Sequence, residues 1–496
     1  MPEPAAQRRE VGRKGAGAQD GAGALGRAGE RLVFESDWLA SQPFFYNVRT
    51  GRYGHDINDA IDLPDIEFDP EGLNDYLDFG FSVFERTLVK DVRMLRYSAR
   101  LFSGPGGLRV ECLDDPAAEW FERRSTVHEV LGLAAAKIDA ATAAADGDVL
   151  VPTSGGLDSR LIDLLLTDRS RLRTFTYGVS DDPARSAEAV KAAELARRLR
   201  VRWDLVWLGD FHRYFGEWDA LFGVSTHAHG MYQIEFYRRI LERVSGGNLV
   251  LSGACGEWFA GDDPEVREVR TLRDPGDVLQ VFRYGRMCAD SRQSQFRSER
   301  LGAWRLLENE PRLRTEMLPR VVAVVRLRMI LLSYLLRVPA SLGLQPRAPY
   351  LDLDLALRML TLPPQLREQR RWEHEVFARH GIDLEARPLP ADHRNTLNFR
   401  ALRRVPPRPL DPTLLREVVR PEYVCWVNRN VGLLGLGWEF YWRLGWTPGF
   451  RRAAAAGRRL EIRDQRSPAY GAYLTLRPIE SLLRRRDRAR RGEGAS

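Results

Sequence analysis

The fold of this chain is decided by residues 149–166, which run Val149-Leu150-Val151-Pro152-Thr153-Ser154-Gly155-Gly156-Leu157-Asp158-Ser159-Arg160-Leu161-Ile162-Asp163-Leu164-Leu165-Leu166. The first three residues are apolar and two of them are β-branched, which predicts a short buried strand. The last part has apolar residues at helical spacing, and the glycine pair between the two parts indicates a tight turn. The stretch therefore predicts a parallel strand that passes directly into the N-terminus of a helix.

This junction suits a polyphosphate. Gly155 and Gly156 have no Cβ atom to keep a phosphate away from the backbone N–H groups, and the first turn of a helix adds unpaired donors. Ser154 and Ser159 add hydroxyl donors. A phosphate placed against Asp158 would be repelled, so we expect Mg²⁺ between the two. The residues predict a nucleotide site with Mg²⁺. The alternative is a tight turn with a capping serine, and the missing Gly-Lys-Ser/Thr rules out a Walker loop.

Length and composition indicate a soluble globular protein. The chain has 496 residues, of which 44% are hydrophobic and 29% charged, so we expect two or more domains. No apolar run approaches the roughly 18 residues that a membrane span needs, and the N-terminus is polar. We therefore expect a cytoplasmic protein without a membrane partner. The cysteines lack metal-ligand spacing and are expected to be reduced: Cys112, Cys255, Cys288 and Cys425.

The net charge of +7 suggests a nucleic-acid partner at first sight. All but four of the 75 basic residues are arginines, however, and they are spread along the whole chain. A genome-wide codon preference explains this bias as well as a binding face does. Nucleic acid is therefore not an expected partner, and the oligomeric state stays open.

The pattern along the chain predicts four regions. Residues 1–30 are rich in Ala, Gly and Arg and predict a disordered leader. Residues 31–116 predict a small β-rich domain. Residues 117–386 begin with a helix at about 117–144 and then alternate strands and helices. Residues 387–496 predict a helical or irregular extension with a solvated basic tail. Within residues 31–116 we expect a hairpin at 44–48 and 51–54, a capped helix after Asp69, and strands near 92–95 and 108–110. Within residues 117–386 we expect further strands near 173–177, 201–208 and 248–251.

Such alternation predicts an α/β fold with a doubly wound parallel sheet, whose ligands bind beyond the carboxyl ends of the strands. The phosphate loop follows one strand. Ser252 and Gly253, with Glu257 a few residues later, follow another. We therefore expect these two loops to be neighbours.

Several motifs in order carry a family resemblance. They are Ser-Gly-Gly-Leu-Asp-Ser at 154–159, Leu-Ser-Gly at 251–253, Arg-Ala-Pro-Tyr-Leu-Asp at 347–352 and Leu-Pro-Pro at 362–364. The first resembles the pyrophosphate loop of ATP pyrophosphatases. Over about residues 125–371 the set resembles the synthetase domain of glutamine-hydrolysing asparagine synthetase and β-lactam synthetase. Residues 76–92 resemble the end of that family's amidotransferase domain. The resemblance implies an adenine nucleotide alpha hydrolase-like fold.

The resemblance also implies a chemistry and its residues. In that family a substrate carboxylate attacks the α-phosphorus of ATP, pyrophosphate leaves, and a nitrogen nucleophile attacks the acyl-adenylate. Glu257 stands where the family has a metal-binding aspartate. The nucleotide-binding set implied here is Ser154, Gly155, Gly156, Asp158, Ser159, Tyr177, Gly178, Ser252 and Gly253, with Asp158 and Glu257 as metal ligands. For Arg347 and Asp352, a structural role and a place on the substrate side both stay open.

Three departures from the family change the expectation. Its glutaminase uses an N-terminal cysteine, whereas here Pro2 follows Met1 and the first cysteine is Cys112, so we do not expect glutamine hydrolysis. Its catalytic lysine follows the Leu-Pro-Pro segment. No lysine follows Lys191 here, and Arg371 is the candidate cation in its place. Finally, the Asp-Glu pair of the family is Glu-Trp at 257–258.

The resemblance thus implies an ATP-dependent ligase that adenylates a small-molecule or peptide carboxylate and forms an amide with ammonia or a substrate amine. One alternative is a catalytically weakened nucleotide-binding homologue with an interaction or regulatory role, which the missing lysine supports. Another is a tRNA-modifying ATP pyrophosphatase. That activity would need an RNA-binding module, and the sequence offers only dispersed arginine.

Overall fold

A computed structural model describes residues 29–244, 247–261, 269, 271–285, 287–386, 389–432, 449 and 465–492. The predicted disordered leader lies outside the described residues except for its last two. The basic tail lies inside them as far as residue 492.

The N-terminal part contains the short strands that the sequence predicts, as two antiparallel sheets. Among the described residues one sheet has the order β1-β5-β6 and the other β3-β2-β4. Asp69 caps α2 by accepting hydrogen bonds from the backbone N–H groups of Glu71 and Gly72, at 3.1 and 2.9 Å. The hairpin and the capped helix are therefore confirmed. The elements are β1 Arg31–Glu35, β2 Phe45–Asn47, β3 Tyr53–Gly54, α1 Ile57–Ala60, α2 Pro70–Phe79, β4 Val92–Met94, β5 Ala99–Gly104 and β6 Gly107–Cys112.

The helix that leads to the phosphate loop is α3, Val127–Ala143. Its predicted start near residue 117 was wrong by ten residues. Thr126 and Glu129 form a capping box, in which each side chain bonds the other's backbone N–H, and this fixes the start of the helix. Residues 118–120 make only a single 3₁₀ turn.

The central sheet is parallel and, within the described residues, has five strands in the order β11-β10-β7-β8-β9. They are β7 Val149–Pro152, β8 Leu172–Tyr177, β9 Arg202–Val206, β10 Leu249–Leu251 and β11 Gln345–Arg347. The chain advances from β7 to β9 on one side and then adds β10 and β11 on the other. Right-handed crossovers then place helices on both faces, and the order reverses between β7 and β10. The predicted α/β class is confirmed.

Strand β11 was not predicted. It has three residues with Pro346 in the middle, and a proline argues against a strand in a single sequence. Its parallel pairing with β10 places it at the edge of the sheet, where one missing N–H is tolerated.

The described helices after β7 surround this sheet and form the C-terminal region. They are α4 Leu157–Leu165, α5 Ala187–Leu199, α6 Phe215–Phe222, α7 Met231–Leu241, α8 Gly256–Ala260, α9 Pro275–Phe282, α10 Leu301–Asn309, α11 Met317–Leu332, α12 Tyr334–Ser341, α13 Leu353–Leu360, α14 Pro364–Arg367, α15 Arg371–Arg379, α16 Leu397–Arg404, α17 Pro412–Leu415, α18 Pro421–Gly432 and α19 Arg466–Arg490.

The basic tail is the end of α19 and is only partly solvated. Arg486 is buried and makes two hydrogen bonds to the Glu417 carboxylate, at 2.7 and 2.8 Å. The sequence did not show this pairing because the two residues are 69 positions apart. One side of the tail therefore holds the C-terminal helix against α17 and α18.

The β3-β2-β4 sheet shares one apolar core with the central domain, whereas Ala99 and Leu101 of β5 belong to a separate small cluster. Trp38 lies at the junction of the N-terminal part and the central domain. Its indole N–H donates to the Leu351 carbonyl at 2.9 Å, and its ring centroid is 5.8 Å from that of Phe259. The Arg326 guanidinium donates to the Trp38 carbonyl at 2.9 Å. The N-terminal part is thus packed directly against segments that follow β10 and β11.

Candidate functional site

The turn between β7 and α4 has the geometry of a phosphate cradle. Gly155 adopts a left-handed conformation with φ +69°, and a Cβ atom there would come within 2.4 Å of Lys191 Cβ. Only glycine is compatible with both conditions. The Gly156 N–H donates to Ser154 Oγ at 3.2 Å and begins the helix. The missing Cβ of the buried Gly155 therefore lets the loop pack closely against helix α5.

The start of α4 keeps donors available. No side chain caps this helix, and the buried Ser159 hydroxyl has no hydrogen-bond partner within the described structure. A buried polar atom without a partner is costly in a protein interior and marks the position of a missing partner. Together with the helix dipole, these donors suit an anion.

The loop after β10 lies against the phosphate loop, as predicted from the sheet. The Ser252 N–H donates to the Arg347 carbonyl at 2.8 Å. A Cβ atom on Gly253 would lie 3.0 Å from Asp158 Cβ, and one on Gly256 would lie 2.5 Å from Asp158 Oδ1. The two glycines allow this close approach, so the Asp158 side chain sits between the two loops.

Glu257 and Asp158 meet through the backbone. The Glu257 N–H donates to the Asp158 carboxylate, while the Glu257 side chain is exposed in the first turn of α8. Carboxylate oxygens are the ligands that Mg²⁺ prefers, and the polyphosphate cradle is adjacent. The residues present therefore fit Mg²⁺ with a nucleotide: Asp158 and Glu257 would hold the ion and the loop would hold the phosphates.

Tyr177 and Gly178 end strand β8 at the same edge of the sheet. The Tyr177 ring packs against Tyr232 and Phe236 with centroids 5.7 and 5.3 Å apart, and burial raises its pKa well above the usual value. The Gly178 carbonyl accepts a hydrogen bond from Arg400 at 3.2 Å. Helix α16 of the C-terminal region thus reaches the edge where we predict the adenine to bind.

Arg371, the predicted catalytic cation, lies on the surface. Its side chain is 67% exposed and forms an ion pair with Glu375 at 2.9 Å, one helical turn away. Arg370 takes the inward direction instead, with its guanidinium on Asp158 and on Glu373. Arg370, one position earlier in the chain, is therefore a second candidate for the catalytic cation.

The backbone explains this choice between neighbouring arginines. Gln369 and Arg370 both adopt left-handed conformations, with φ 49° and 57°. On either side of them, Arg367 donates to the Gly261 carbonyl at 2.8 Å and Trp372 to the Ala260 carbonyl at 2.9 Å. Two anchors at the end of α8 thus hold a strained turn that points Arg370 inward.

Burial dominates the electrostatics of this cluster. It raises the pKa of Glu373 to about 7, although the Arg370 guanidinium opposes the shift. It also raises the pKa of Asp158, again against Arg370. The Glu373 side chain is fully buried. The Arg370 guanidinium thus contacts two carboxyl groups, and burial disfavours the charged form of each.

A second buried arginine supports the phosphate loop from α4. Arg160 donates to the Gly155 carbonyl at 2.6 Å and to the Glu385 carboxylate at 2.7 and 3.0 Å. Lys191 donates to the same carboxylate at 2.9 Å. This network was not predicted, because Glu385 is more than 190 positions from both partners.

Among the described residues, His374, Asp383 and Glu385 also lie close enough to share a metal ion. The Glu385 carboxylate is, however, committed to the Arg160 and Lys191 cations. Two positive charges at a ligand oppose a further cation. We assign this group to the support of the loop.

The motif at 347–352 has mostly structural functions. Tyr350 donates its hydroxyl to the Asp158 carbonyl at 2.9 Å, a contact that the sequence analysis missed. Asp352 caps α13 and forms an ion pair with Lys137 at 2.6 Å. Arg347 donates to the neighbouring Pro346 carbonyl at 3.0 Å. The motif thus braces the phosphate loop from the β11 side.

Comparison with known families agrees with this geometry. Residues 136–379 match the family model described as asparagine synthase. The matched segment is similar to an asparagine synthase domain, and it contains the phosphate loop, the loop after β10 and the Arg370 cluster. No curated protein matches the chain. Members of the asparagine synthase family are ATP-dependent amide-forming ligases that use ATP, usually with Mg²⁺. No helix in the described part of the chain is long and apolar enough to cross a membrane.

Proposed function

We propose that this protein is an ATP-dependent ligase that activates a substrate carboxylate as its adenylate and then forms an amide with ammonia or a substrate amine. The observation that carries the proposal is the cradle at 154–159 with its unpartnered Ser159 hydroxyl, inside the segment that matches the asparagine synthase family. The substrate carboxylate belongs to a small molecule or a peptide.

The residues divide the work in the first step. The backbone N–H groups at 155–159 and the hydroxyls of Ser154 and Ser159 bind the phosphates that leave as pyrophosphate. Asp158 and Glu257 would hold Mg²⁺, which when bound offsets the charge of that leaving group. The ends of β8, at Tyr177 and Gly178, would face the adenine. Ser252 and Gly253 shape the facing wall.

The proposed reaction proceeds in two steps. A carboxylate oxygen of the substrate bonds to the α-phosphorus, and the bond from that phosphorus to the pyrophosphate oxygen breaks. The nitrogen of the amine then bonds to the activated carbonyl carbon, AMP leaves with the electron pair, and the nitrogen loses a proton. Arg370 is the buried cation nearest Asp158 in this cluster, and we assign to it the role first predicted for Arg371.

Free ammonia or an amine supplies the nitrogen in this proposal. Because the proposal gives glutamine no role, we expect no glutamate from glutamine with the purified protein. Formation of glutamate would show that the protein hydrolyses glutamine and would contradict this part of the proposal.

ATP–pyrophosphate exchange with a panel of carboxylates tests the function. The wild type should exchange label with at least one carboxylate, and Asp158→Asn should bind Mg·ATP at least about tenfold more weakly, equivalent to about 1.4 kcal/mol. Asp168→Asn is the matched control, because Asp168 is an exposed acid beyond the other end of α4. Unchanged affinity in Asp158→Asn would remove Asp158 from the site. ATP binding without any exchange would favour the catalytically weakened homologue.

A further inference from the structure

The carboxylate proposed to bind Mg²⁺ is engaged by a cation of the chain itself. One terminal nitrogen of Arg370 contacts Asp158 Oδ1 and lies 2.9 Å from Glu373 Oε1, while Arg370 Nε contacts the other oxygen of Glu373. The Arg370 side chain is only 16% exposed. Asp158 thus has a protein partner at the oxygen that faces the loop after β10.

Arg370 and a metal ion cannot both keep that oxygen. Mg²⁺ requires carboxylate oxygens at about 2.1 Å in near-octahedral geometry, and it carries two positive charges. A guanidinium in contact with the same oxygen would stand within a few ångströms of the ion, where like charges repel strongly in a partly buried site. Binding of Mg²⁺ to Oδ1 of Asp158 therefore requires Arg370 to move.

The surroundings of Arg370 allow such a movement about one end. The Glu373 carboxylate is fully buried and lies in the first turn of α15, so it can retain Nε while the terminal nitrogens turn away. A Cβ atom on Gly261 would lie 2.6 Å from Arg370 Cγ, so the stem of Arg370 packs directly on Gly261 and the movement is confined to the guanidinium. The left-handed backbone at Gln369 and Arg370 holds the residue in a strained starting position.

We propose that Arg370 is exchanged for Mg²⁺ on Asp158 during each catalytic cycle. Arg370 neutralises Asp158 before the nucleotide binds. When Mg·ATP enters, Arg370 releases Asp158, keeps Glu373 as its anchor, and contacts the α-phosphate oxygens, where negative charge grows as pyrophosphate leaves. This proposal rests on the proposed function, and it assigns to one residue both the competition with the metal and the catalytic charge.

The test separates metal competition from catalysis by measuring both. Calorimetry measures ATP binding at a series of Mg²⁺ concentrations for the wild type, Arg370→Ala, Arg370→Lys and Arg371→Ala. The rates of ATP–pyrophosphate exchange are measured for the same four proteins. Arg370→Ala should lower the half-saturating Mg²⁺ concentration about tenfold, because Asp158 and the fully buried Glu373 lose their cation. Its exchange rate should fall at least about 100-fold, because a preorganised charge is lost from the transition state.

The neighbouring Arg371 is the matched control, since it has the same side chain at the adjacent position, where α15 begins. Arg371→Ala should leave both quantities within about twofold of wild type, as expected for an exposed ion pair. Arg370→Lys should lie between wild type and Arg370→Ala in both measurements, because a compact ammonium cannot bridge two carboxylates as a guanidinium does.

Each outcome decides the proposal. If Arg370→Ala binds Mg²⁺ no more tightly than the wild type, the replacement of Arg370 by Mg²⁺ on Asp158 is refuted. ATP–pyrophosphate exchange by the wild type would still leave the proposed function intact. A wild type without Mg²⁺-dependent ATP binding would refute both. If Arg370→Ala does not fold, Arg370→Lys carries the test, and an unchanged or higher Mg²⁺ requirement in that variant overturns the proposal.

Discussion

Arg160 and Arg370 both place a buried guanidinium against the phosphate loop, and their surroundings differ. Arg160 lies on the Gly155 carbonyl and shares the Glu385 carboxylate with Lys191. Although burial opposes ionisation, the hydrogen bonds from Arg160 and Lys191 lower the pKa of Glu385 to about 2. This region therefore contains a carboxylate that strongly prefers its charged, paired form.

The Arg370 region has the opposite character. Burial raises the pKa of Glu373 to about 7 and also raises that of Asp158, so both carboxyl groups resist ionisation despite the guanidinium. Its backbone is also strained, with two consecutive left-handed residues. We infer from this difference that Arg160 holds the loop permanently, whereas Arg370 occupies a place that Mg²⁺ can take.

The largest effect is expected from removing the anion of the permanent pair. Glu385→Ala leaves the fully buried Arg160 without its carboxylate, which should lower the free energy of unfolding by about 3–5 kcal/mol. Glu194→Ala is the control, because its pairs with Arg197 and Arg198 are single-helix contacts worth less than about 1 kcal/mol. Urea unfolding measures both. A loss below about 1 kcal/mol for Glu385→Ala would remove the distinction between the two regions.

Asp163 offers a pH test of desolvation beneath the loop. It accepts a hydrogen bond from the Thr153 hydroxyl at 2.9 Å, and burial raises its pKa to about 7. Because the pKa of Asp163 is higher in the folded protein than its unfolded value near 4, protonated Asp163 favours the folded state at pH values below 4. This stabilisation is lost as the pH rises to 7.

Asp163→Asn should therefore remove part of the decline in unfolding free energy between pH 4 and pH 8. Three pKa units correspond to about 4 kcal/mol at most, and we expect about 2–3 kcal/mol because the interior responds to the charge. Denaturant unfolding of both proteins at several pH values measures the difference. Parallel pH profiles would show that Asp163 ionises normally.

A smaller effect should follow from relieving the backbone strain beside Arg370. Gln369→Gly replaces a residue at φ 49° with one that adopts this conformation freely, so stability should rise by up to about 1 kcal/mol. Ala193→Gly is the control, because Ala193 lies within α5 and its replacement should lower the free energy of unfolding by about 1 kcal/mol. Lys191 on the same helix is unsuitable because it contacts Glu385. Thermal unfolding compares the two variants. Destabilisation by Gln369→Gly would show that the turn is not strained.

The smallest effect is expected at Arg371. Removing its exposed pair with Glu375 in Arg371→Ala should change the free energy of unfolding by less than about 0.5 kcal/mol. Urea titration with the wild type in parallel is sufficient. A large loss would mean that Arg371 supports the Arg370 turn from outside.

The sequence predicted what depends on neighbouring residues. The loop at 154–159 and the parallel sheet follow from glycines, hydroxyls and apolar runs that are contiguous, and the structure places them as expected. Arg370 could not be distinguished from Arg371, because the choice depends on a left-handed glutamine held by contacts to α8. The Arg160–Glu385 pair joins residues 225 positions apart, which no local pattern reveals.

The position of Trp38 has a consequence for any attempt to shorten the chain. Its indole bonds Leu351, whose neighbour Tyr350 bonds Asp158, and its ring packs on Phe259. A fragment without the N-terminal part would expose the Leu351 carbonyl and the Phe259 ring to water. The N-terminal part therefore supports the segments that hold Asp158. Any replacement for it would need an aromatic N–H donor at the position of Trp38.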